Sequence, residues 1–209
     1  MSETIAVLIP MYNREKYIKE SITSILEQTY KDLIIQVYDD GSTDKSVDIV
    51  NSFKDSRIKL TVGEKNRGVS FARNKLLELC ETKYAAWQDS DDVSNIYRLE
   101  IQYESIRKTN KLIYSRYDRL VGNVKNVYRE IPKQIINTST ANASVMFPVD
   151  KIILFNENLP IGEDVDWHHR MVPKYEEEIL NQVLYYIRYH PDRLGVKYRG
   201  FKWWEKVKK

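Results

Sequence analysis

An acidic run, Gln88-Asp89-Ser90-Asp91-Asp92, holds three aspartates within four consecutive residues. Carboxylates this close repel one another and raise each other's pKa unless a cation is present. A hard divalent ion such as Mn²⁺ or Mg²⁺ relieves that repulsion, and it usually takes one or two protein carboxylates together with waters and phosphate oxygens. The run therefore predicts a metal ion that binds jointly with a diphosphate. A solvated acidic turn with a helix-capping role is the alternative interpretation.

Two further polar segments carry groups that suit a nucleotide. Tyr12, in Pro10-Met11-Tyr12-Asn13, offers a ring on which a base could stack, a contact that contributes about 1–3 kcal/mol. Asp40, in Asp39-Asp40-Gly41-Ser42, could accept a hydrogen bond from a base N–H. The alternatives are a tyrosine packed on the rim of the core, and an aspartate that caps a helix or forms an Asx turn.

These segments follow the strands of a predicted parallel sheet. Apolar runs at 4–9, 33–38, 57–62 and 84–87 predict four strands, and helices are expected between them at about 14–28, 44–54 and 69–81. Ser42 or Thr43 is expected to cap the second helix. Strand and helix in alternation are typical of a parallel α/β sheet, in which ligands bind at the carboxyl ends of the strands. The pattern therefore predicts one cleft with an aromatic face, several carboxylates and a flexible loop at Asn66-Arg67-Gly68.

The second half of the chain has a different pattern. A helix is predicted at about 95–109, strands at 112–117, 120–128, 143–148 and 179–189, and a helix from Glu163 to about Val172. Because no linker rich in Gly, Ser or Pro separates the halves, we expect mixed sheet laid beside the first half. The prediction is one domain over 1–209, with a nucleotide-binding half (1–92), an acceptor half (93–190) and a basic tail (191–209).

Composition excludes several classes of protein. The 33 basic and 30 acidic residues give a net charge of +3, which argues against a dedicated nucleic-acid binder. No apolar run approaches the roughly 20 residues of a membrane span, and no signal peptide is recognisable. We expect a cytoplasmic protein, with the cytoplasmic face of a membrane as the alternative location.

Taken together, these segments resemble the family 2 glycosyltransferases of the GT-A fold. The resemblance covers about residues 4–172 and rests on five segments in order: Pro10-Met11-Tyr12-Asn13, Tyr38-Asp39-Asp40-Gly41-Ser42-Thr43-Asp44, Asn66-Arg67-Gly68 through Ala72-Arg73-Asn74, Gln88-Asp89-Ser90-Asp91-Asp92, and Phe155-Asn156-Glu157-Asn158-Leu159 leading into Gly162-Glu163-Asp164-Val165-Asp166-Trp167. It implies a mixed, mostly parallel central sheet flanked by helices, with a Rossmann-like nucleotide-binding half and a smaller acceptor half.

The resemblance also implies how a nucleotide-sugar donor would be bound. Its donor-binding positions correspond here to Pro10, Tyr12, Asp40, Arg73, Asp89 and Ser90. Tyr12 would stack on the base, Asp40 would hydrogen-bond the base, and Asp89 would contact the ribose. From the residues alone, Arg73 is expected on a helix, paired with a nearby aspartate.

The same resemblance implies the catalytic groups. Asp91 would ligate Mn²⁺ or Mg²⁺, which bridges the two phosphates, and Asp164 corresponds to the general base of inverting members. Direct displacement requires a carboxylate that deprotonates the acceptor hydroxyl, and a position at a helix start keeps a carboxylate ionised. His190 would approach the metal or diphosphate, with a surface position as the alternative. Arg193, Lys197 and Arg199 would form a mobile basic lid, with a solvated tail as the alternative.

The function implied is that of a hexosyltransferase-type enzyme. It would move a sugar from an NDP-sugar, with UDP favoured, to a hydroxyl of a glycan, glycoprotein or lipid. Most relatives continue past the equivalent of Trp203-Trp204 with further domains, so this chain is either a minimal enzyme or a part of a longer parent protein.

Two other functions stay open from the sequence alone. Asp89-Ser90-Asp91-Asp92-Val93 fits the D-x-D-x-[TV] pattern of phosphohydrolases with an aspartate nucleophile, although that motif normally follows a first strand. A non-catalytic module that binds sugar nucleotides or glycans is the other, and retention of both Asp91 and Asp164 argues against it. A nicotinamide dehydrogenase is disfavoured because no G-x-G-x-x-G follows the first strand.

Overall fold

The computed structural model describes residues 3–120, 128–130, 132 and 140–193. Its first half alternates strands and helices in the order β1 (Ile5–Met11), α1 (Ile18–Leu26), β2 (Leu33–Asp39), α2 (Ser46–Ser52), β3 (Ile58–Val62), α3 (Val69–Glu78) and β4 (Tyr84–Trp87). The second half contains β5 (Val93–Ser94), α4 (Arg98–Thr109), β6 (Leu112–Leu120), a 3₁₀ turn (Asn142–Ser144), β7 (Met146–Pro148), α5 (Glu163–Met171) and β8 (Glu177–Arg188).

The described strands form one eight-stranded sheet in the order β3-β2-β1-β4-β7-β6-β8-β5. The predicted parallel half is confirmed, because β1 pairs in parallel with β2 and with β4, and β2 pairs in parallel with β3. Antiparallel pairing of β7 with both β4 and β6 joins the second half to the first. A continuous sheet of this kind positions the ends of β1, β2 and β4 beside the start of α5.

Central strand β1 shows why the sequence folds this way. All seven of its residues are buried, as expected for a strand covered on both faces. Ile5, Val7 and Ile9 point into one hydrophobic cluster, and Ala6 and Leu8 into the other. Successive side chains of a strand face opposite sides, so an unbroken apolar run supplies two cores at once. The helices cover these two faces with their apolar stripes, as α1 does with Ile18, Ile22 and Ile25.

Several predicted boundaries are wrong in the second half. Residues 142–144 form a 3₁₀ turn, so only 146–148 of the predicted strand 143–148 is strand. The predicted pieces 112–117 and the start of 120–128 belong to one strand, β6, which pairs along its length with β8 across two register shifts. Residues 121–127, and the tail from 194 onward with Lys197, Arg199, Trp203 and Trp204, lie outside the described residues.

Two helix starts in the first half also differ from the sequence prediction. Helix α1 begins at Ile18, because the N–H of Arg14 bonds to the Oγ of Ser46 and residues 14–17 turn instead. Helix α2 begins at Ser46, whose N–H bonds to Asp44 Oδ1, so neither Ser42 nor Thr43 is its cap. None of the described helices is long and apolar enough to cross a membrane.

Candidate active site

The carboxyl ends of β1, β2 and β4 open onto one cleft of about 570 Å³, and the start of α5 also lines it. All eight site residues predicted from the sequence line this cleft: Pro10, Tyr12, Asp40, Arg73, Asp89, Ser90, Asp91 and Asp164. The structure therefore brings them together across 155 residues of chain, from 10 to 164. Their individual roles remain predictions.

Tyr12 lies at the lip of the cleft, where its side chain is 38% exposed. The turn that carries it is fastened to the neighbouring turn, since the N–H of Asn13 bonds to Ser42 Oγ and Asn13 Oδ1 accepts the N–H of Thr43. Asn13 adopts a left-handed backbone with φ of 50°, a conformation that asparagine tolerates better than most residues. A partly exposed ring held this way is available for stacking.

Asp40 is buried and binds the loop that precedes α3. Its carboxylate accepts the backbone N–H of Arg67 at 3.0 Å and that of Gly68 at 2.7 Å. Burial raises the pKa of Asp40 above its usual value, and these two backbone donors oppose the rise. A carboxylate has about four acceptor positions, so Asp40 can hold the loop and still accept from a ligand.

Gly41 allows the loop that follows β2 to approach the loop that precedes α3. It has φ of +75°, and a Cβ at this position would lie 2.6 Å from the Cα of Lys65. Only glycine adopts this conformation readily and leaves room for the approaching backbone. The position of Asp40 against the loop at 66–68 therefore depends on Gly41.

The acidic turn after β4 gathers one carboxylate oxygen each from Asp89, Asp91 and Asp92 within 4.8 Å of one another. Burial, followed by the charges of its two neighbours, raises the pKa of Asp92 well above its usual range. Burial also raises the pKa of Asp89, against the effect of the nearby Arg73. Burial acts in the same direction on Asp91, but a hydrogen bond from His190 and the charge of Arg14 hold its pKa below the usual value.

This cluster fits a divalent cation. Its ligand atoms are the hard oxygens that Mg²⁺ and Mn²⁺ prefer. The charges of Asp91 and Asp89 add to burial in raising the pKa of Asp92, and a bound cation relieves that repulsion. Asp92 has one oxygen engaged by the N–H of Arg188 at 2.8 Å, whereas Asp89 and Asp91 both line the cleft. The cluster is therefore compatible with divalent metal use, with Asp91 and Asp89 on the open side.

Arg73 joins the acidic turn to helix α5. Its Nη1 lies 2.7 Å from Glu163 Oε1 and its Nη2 lies 3.3 Å from Asp89 Oδ1. Pairing with a nearby aspartate was expected from the sequence, whereas the bond to Glu163 was not. Burial acts to lower the pKa of Arg73, but the neighbouring carboxylates raise it above its usual value. The guanidinium therefore stays charged and holds two carboxylates in the wall of the cleft.

Replacement of Arg73 by an uncharged residue is expected to destabilise the folded protein. We expect Arg73→Met to lower the free energy of unfolding by about 3–5 kcal/mol, because it leaves buried Glu163 and half-buried Asp89 without their partner. Arg57→Met, which breaks the partly exposed pair with Asp55, is the matched control and should cost about 0–1 kcal/mol. Urea denaturation measures both losses. Equal losses in the two variants would contradict the role assigned to Arg73.

Asp164 is the second residue of α5 and faces the cleft. Its Oδ2 accepts a hydrogen bond from Asn142 Nδ2 at 3.3 Å, and its Oδ1 accepts the N–H of Val165 at 2.9 Å. Among the described residues, no basic side chain forms an ion pair with it, whereas adjacent Glu163 is bound to Arg73. Of these two neighbouring carboxylates, Asp164 is the one that is not held in an ion pair within the described part of the chain.

Sequence reasoning missed Arg14 and Glu163, and underestimated His190. Arg14 Nε lies 3.3 Å from Asp91 Oδ2, and His190 Nε2 lies 2.9 Å from the same oxygen. The surface position considered for His190 is wrong, because the residue is only 9% exposed and its ring lies 4.4 Å from that of Tyr17. Arg14 directly follows the Tyr12 segment, a signal that could have been used. Arg193 lines the cleft, whereas Lys197 and Arg199, the other residues of the predicted lid, lie outside the described residues.

Comparison with known proteins identifies related sequences. The family model for glycosyl transferase family 2 matches residues 6–159. The glycosyltransferase GlyG of Streptococcus pneumoniae serotype 4 is 34% identical over 129 residues, which cover 59% of this chain and 43% of that protein. The UDP-Glc:alpha-D-GlcNAc-diphosphoundecaprenol beta-1,3-glucosyltransferase WfgD of Escherichia coli is 37% identical over 120 residues, which cover 57% of this chain and 47% of that protein. The chain thus spans less than half of the length of these two relatives.

Solved structures share the fold. S. aureus TarS 1-349 in complex with UDP-GlcNAc superposes with a TM-score of 0.77 at 23% identity, covering 91% of this chain and 60% of that one. The mannosyltransferase PcManGT from Pyrobaculum calidifontis, in complex with GDP-Man and Mn²⁺, gives a TM-score of 0.66 at 17% identity and covers 88% of this chain and 56% of that one. The α/β GT-A fold predicted from the sequence is confirmed.

Proposed function

The chain belongs to glycosyl transferase family 2, and we propose that it moves a sugar from a UDP-sugar to an acceptor hydroxyl with inversion at the anomeric carbon. One observation carries the proposal. A single cleft holds a partly exposed aromatic ring, an acidic cluster suited to a divalent cation, and a carboxylate, Asp164, that forms no ion pair among the described residues. Transfer from an NDP-sugar needs a site for the nucleobase and a site for the diphosphate. It also needs a general base that deprotonates the attacking hydroxyl of the acceptor.

The donor's base would lie between Tyr12 and Asp40. The exposed ring of Tyr12 offers a stacking face, and the Asp40 carboxylate, fixed by the loop at 66–68, would accept an N–H of the base. Pro10 would line the same pocket, and Asp89 and Ser90 would lie along the ribose, with Asp89 held in place by Arg73. A UDP donor is supported by the complexes of TarS with UDP and with UDP-GlcNAc and by the UDP-Glc in the name of the E. coli relative.

The diphosphate would lie next to a metal ion bound at Asp91. Asp91, with Asp89 beside it, would hold Mn²⁺ or Mg²⁺. The bound ion would supply positive charge that stabilises the charge developing on the leaving diphosphate. Arg14 and Arg193 line the same region and add positive charge from the protein itself. The Mn²⁺ complex of the mannosyltransferase supports the use of a divalent ion.

Asp164 would act as the general base. It lines the same cleft as the acidic turn, and Asn142 and the start of α5 fix its carboxylate. A base in that position would take the proton of the acceptor hydroxyl as the oxygen attacks the anomeric carbon from the side opposite the diphosphate. Attack from that side inverts the configuration of the sugar.

The acceptor would approach from the second half of the chain. We propose that residues 1–92 form the nucleotide-binding half and residues 93–190 the acceptor half of one continuous unit. The E. coli relative is named for a lipid-linked sugar acceptor, which supports a glycan or lipid hydroxyl as the acceptor here. Because the chain spans less than half of that relative, additional segments of a longer parent protein could complete the acceptor site.

A thermal-shift screen tests the donor site. Purified protein would be heated with UDP, dTDP, GDP or CDP, each with and without Mn²⁺. Ligand at a hundred times its dissociation constant stabilises the native state by about 2.7 kcal/mol, which raises the melting temperature measurably. We expect the largest shift with UDP and Mn²⁺ together. Absence of a shift with every nucleotide would contradict the proposed function.

A further inference from the structure

Arg98 is a fully buried arginine directly behind the acidic turn. It is 0% exposed, and its Nη2 bonds to the carbonyl oxygen of Trp87 at 2.8 Å. Its Nη1 bonds to Gln88 Oε1 and to Ser94 Oγ, and its Nε bonds to Gln102 Oε1. Within the described part of the chain, no carboxylate lies close enough to form an ion pair with Arg98. All of the hydrogen-bond acceptors named above are neutral groups.

The fold keeps this charge buried at a cost. Burial lowers the pKa of Arg98 to about 10, which leaves it charged at neutral pH. A buried ion without a counter-ion is costly unless hydrogen bonds satisfy it, and an apolar residue of similar volume often replaces such groups without loss of stability. The ring of Tyr185 lies 5.0 Å from the guanidinium and its hydroxyl oxygen accepts the N–H of Asp89. Both contacts lead from Arg98 toward the acidic turn.

Gln88 connects Arg98 to the main chain of that turn. Its Oε1 accepts from Arg98 and from Ser94 Oγ, which fixes the direction of the amide. Its Nε2 then points at the carbonyl oxygens of Asp89, at 3.2 Å, and of Asp92, at 3.0 Å. These two carbonyls lie at the two ends of the turn whose carboxylates come within 4.8 Å of one another.

We propose that Arg98 and Gln88 are positioning residues that hold the turn at 89–92 in the conformation that binds a metal ion together with a nucleoside diphosphate. Arg98 orients the Gln88 amide, and that amide ties both ends of the turn, so the carboxylates stay close in spite of their repulsion. Neither residue contacts the donor. The proposal rests on the proposed donor site.

The chain offers a matched control in Gln102. Gln88 and Gln102 are both 0% exposed and both accept from Arg98. Gln102 Nε2 bonds to the carbonyl oxygens of Ile113 and Ser144, each at 2.7 Å, and so supports the other side of the network. Gln88→Met and Gln102→Met therefore remove the same amide from comparable surroundings, but only the first releases the acidic turn.

Calorimetric titration with UDP, with and without Mn²⁺, tests the proposal. We expect Gln88→Met to weaken UDP affinity in Mn²⁺ by about 10- to 100-fold, the range for groups that orient metal ligands, and to leave the affinity without Mn²⁺ unchanged. Gln102→Met should leave both affinities unchanged. Ser94→Ala, a smaller change that removes one donor to Gln88, should show the same effect to a lesser degree.

Hydrogen exchange provides a readout that does not depend on the ligand. Amides of residues 89–92 should exchange faster in Gln88→Met than in Gln102→Met, at equal thermal stability. Equal losses of UDP affinity, or equal exchange rates in the turn, would overturn the proposal. Wild-type protein that fails to bind UDP in Mn²⁺ would instead count against the proposed function, and the exchange rates would still decide whether Gln88 holds the turn.

Discussion

Replacement of Asp91 by alanine is expected to abolish the Mn²⁺-dependent part of UDP binding. Asp91 is the member of the acidic cluster whose pKa is held below its usual value, so it remains an anionic ligand although it is buried. Changes to groups that merely orient ligands already cost about 10- to 100-fold in metal affinity. We therefore expect loss of the ligand itself to weaken UDP affinity in Mn²⁺ by about a hundredfold or more.

The same change should spare binding without metal. Arg14 lies 3.3 Å from Asp91 Oδ2 and would lose its carboxylate partner in the alanine variant. Its charge would then face the diphosphate alone, so UDP affinity in the absence of Mn²⁺ should not fall. Titration calorimetry with and without Mn²⁺ measures both affinities.

Asp55→Ala is the control for Asp91→Ala, since it removes an aspartate paired with Arg57 outside the cleft. It should behave like the wild type in both titrations. A UDP affinity in Asp91→Ala that is the same as that of the wild type, with and without Mn²⁺, would exclude Asp91 as the metal ligand.

Replacement of Asp164 by asparagine is expected to stop transfer while the donor still binds. The substitution keeps the size of the side chain and its contact with Asn142, but removes the capacity to take up a proton. General bases contribute about 10²- to 10⁴-fold to a rate, so we expect kcat to fall by that factor. Initial rates of UDP release measure kcat, and calorimetry measures UDP affinity, which should be unchanged.

Asp166→Asn is the matched control on the same helix. Asp166 is two residues further along α5, is bound to Arg170 and does not line the cleft. Its asparagine variant should retain the kcat of the wild type. Turnover at the wild-type rate in Asp164→Asn would reject this residue as the general base.

Local signals in the sequence predicted the fold of the nucleotide-binding half well. The run at 4–9 is apolar throughout because β1 is buried on both faces and supplies two cores. Polar residues begin where each strand ends, and parallel strands direct those ends to one edge of the sheet. Tyr12, Asp40 and Asp91 could therefore be assigned to one cleft from strand order alone.

Contacts between distant parts of the chain could not be predicted in this way. The bond between Arg73 and Glu163 joins residues 90 positions apart, and that between His190 and Asp91 joins residues 99 positions apart. Neither pair has a local pattern, since each depends on how the second half packs against the first. The burial of Arg98 was also unpredictable, because an arginine at the start of an amphipathic helix usually faces solvent.

Strand boundaries in the second half failed for a related reason. The 3₁₀ turn at 142–144 leads into β7, but Ser144 is buried and its hydroxyl bonds to the carbonyl oxygens of Ser115 and Ala141. Strand β6 runs past the predicted break because β8 pairs with it on one side through two register shifts. In both cases contacts with other parts of the chain determine where the strand begins or ends, and β propensity depends strongly on such context.

Anomalous diffraction from crystals grown with UDP and Mn²⁺ would show directly whether the acidic turn binds the metal ion together with the donor's diphosphate. We expect a Mn²⁺ peak beside Asp91, in contact with both the diphosphate and the protein, with the uracil ring on Tyr12 and its N–H directed at Asp40. UDP bound outside this cleft, or UDP in the cleft with no Mn²⁺ at the acidic turn, would contradict it.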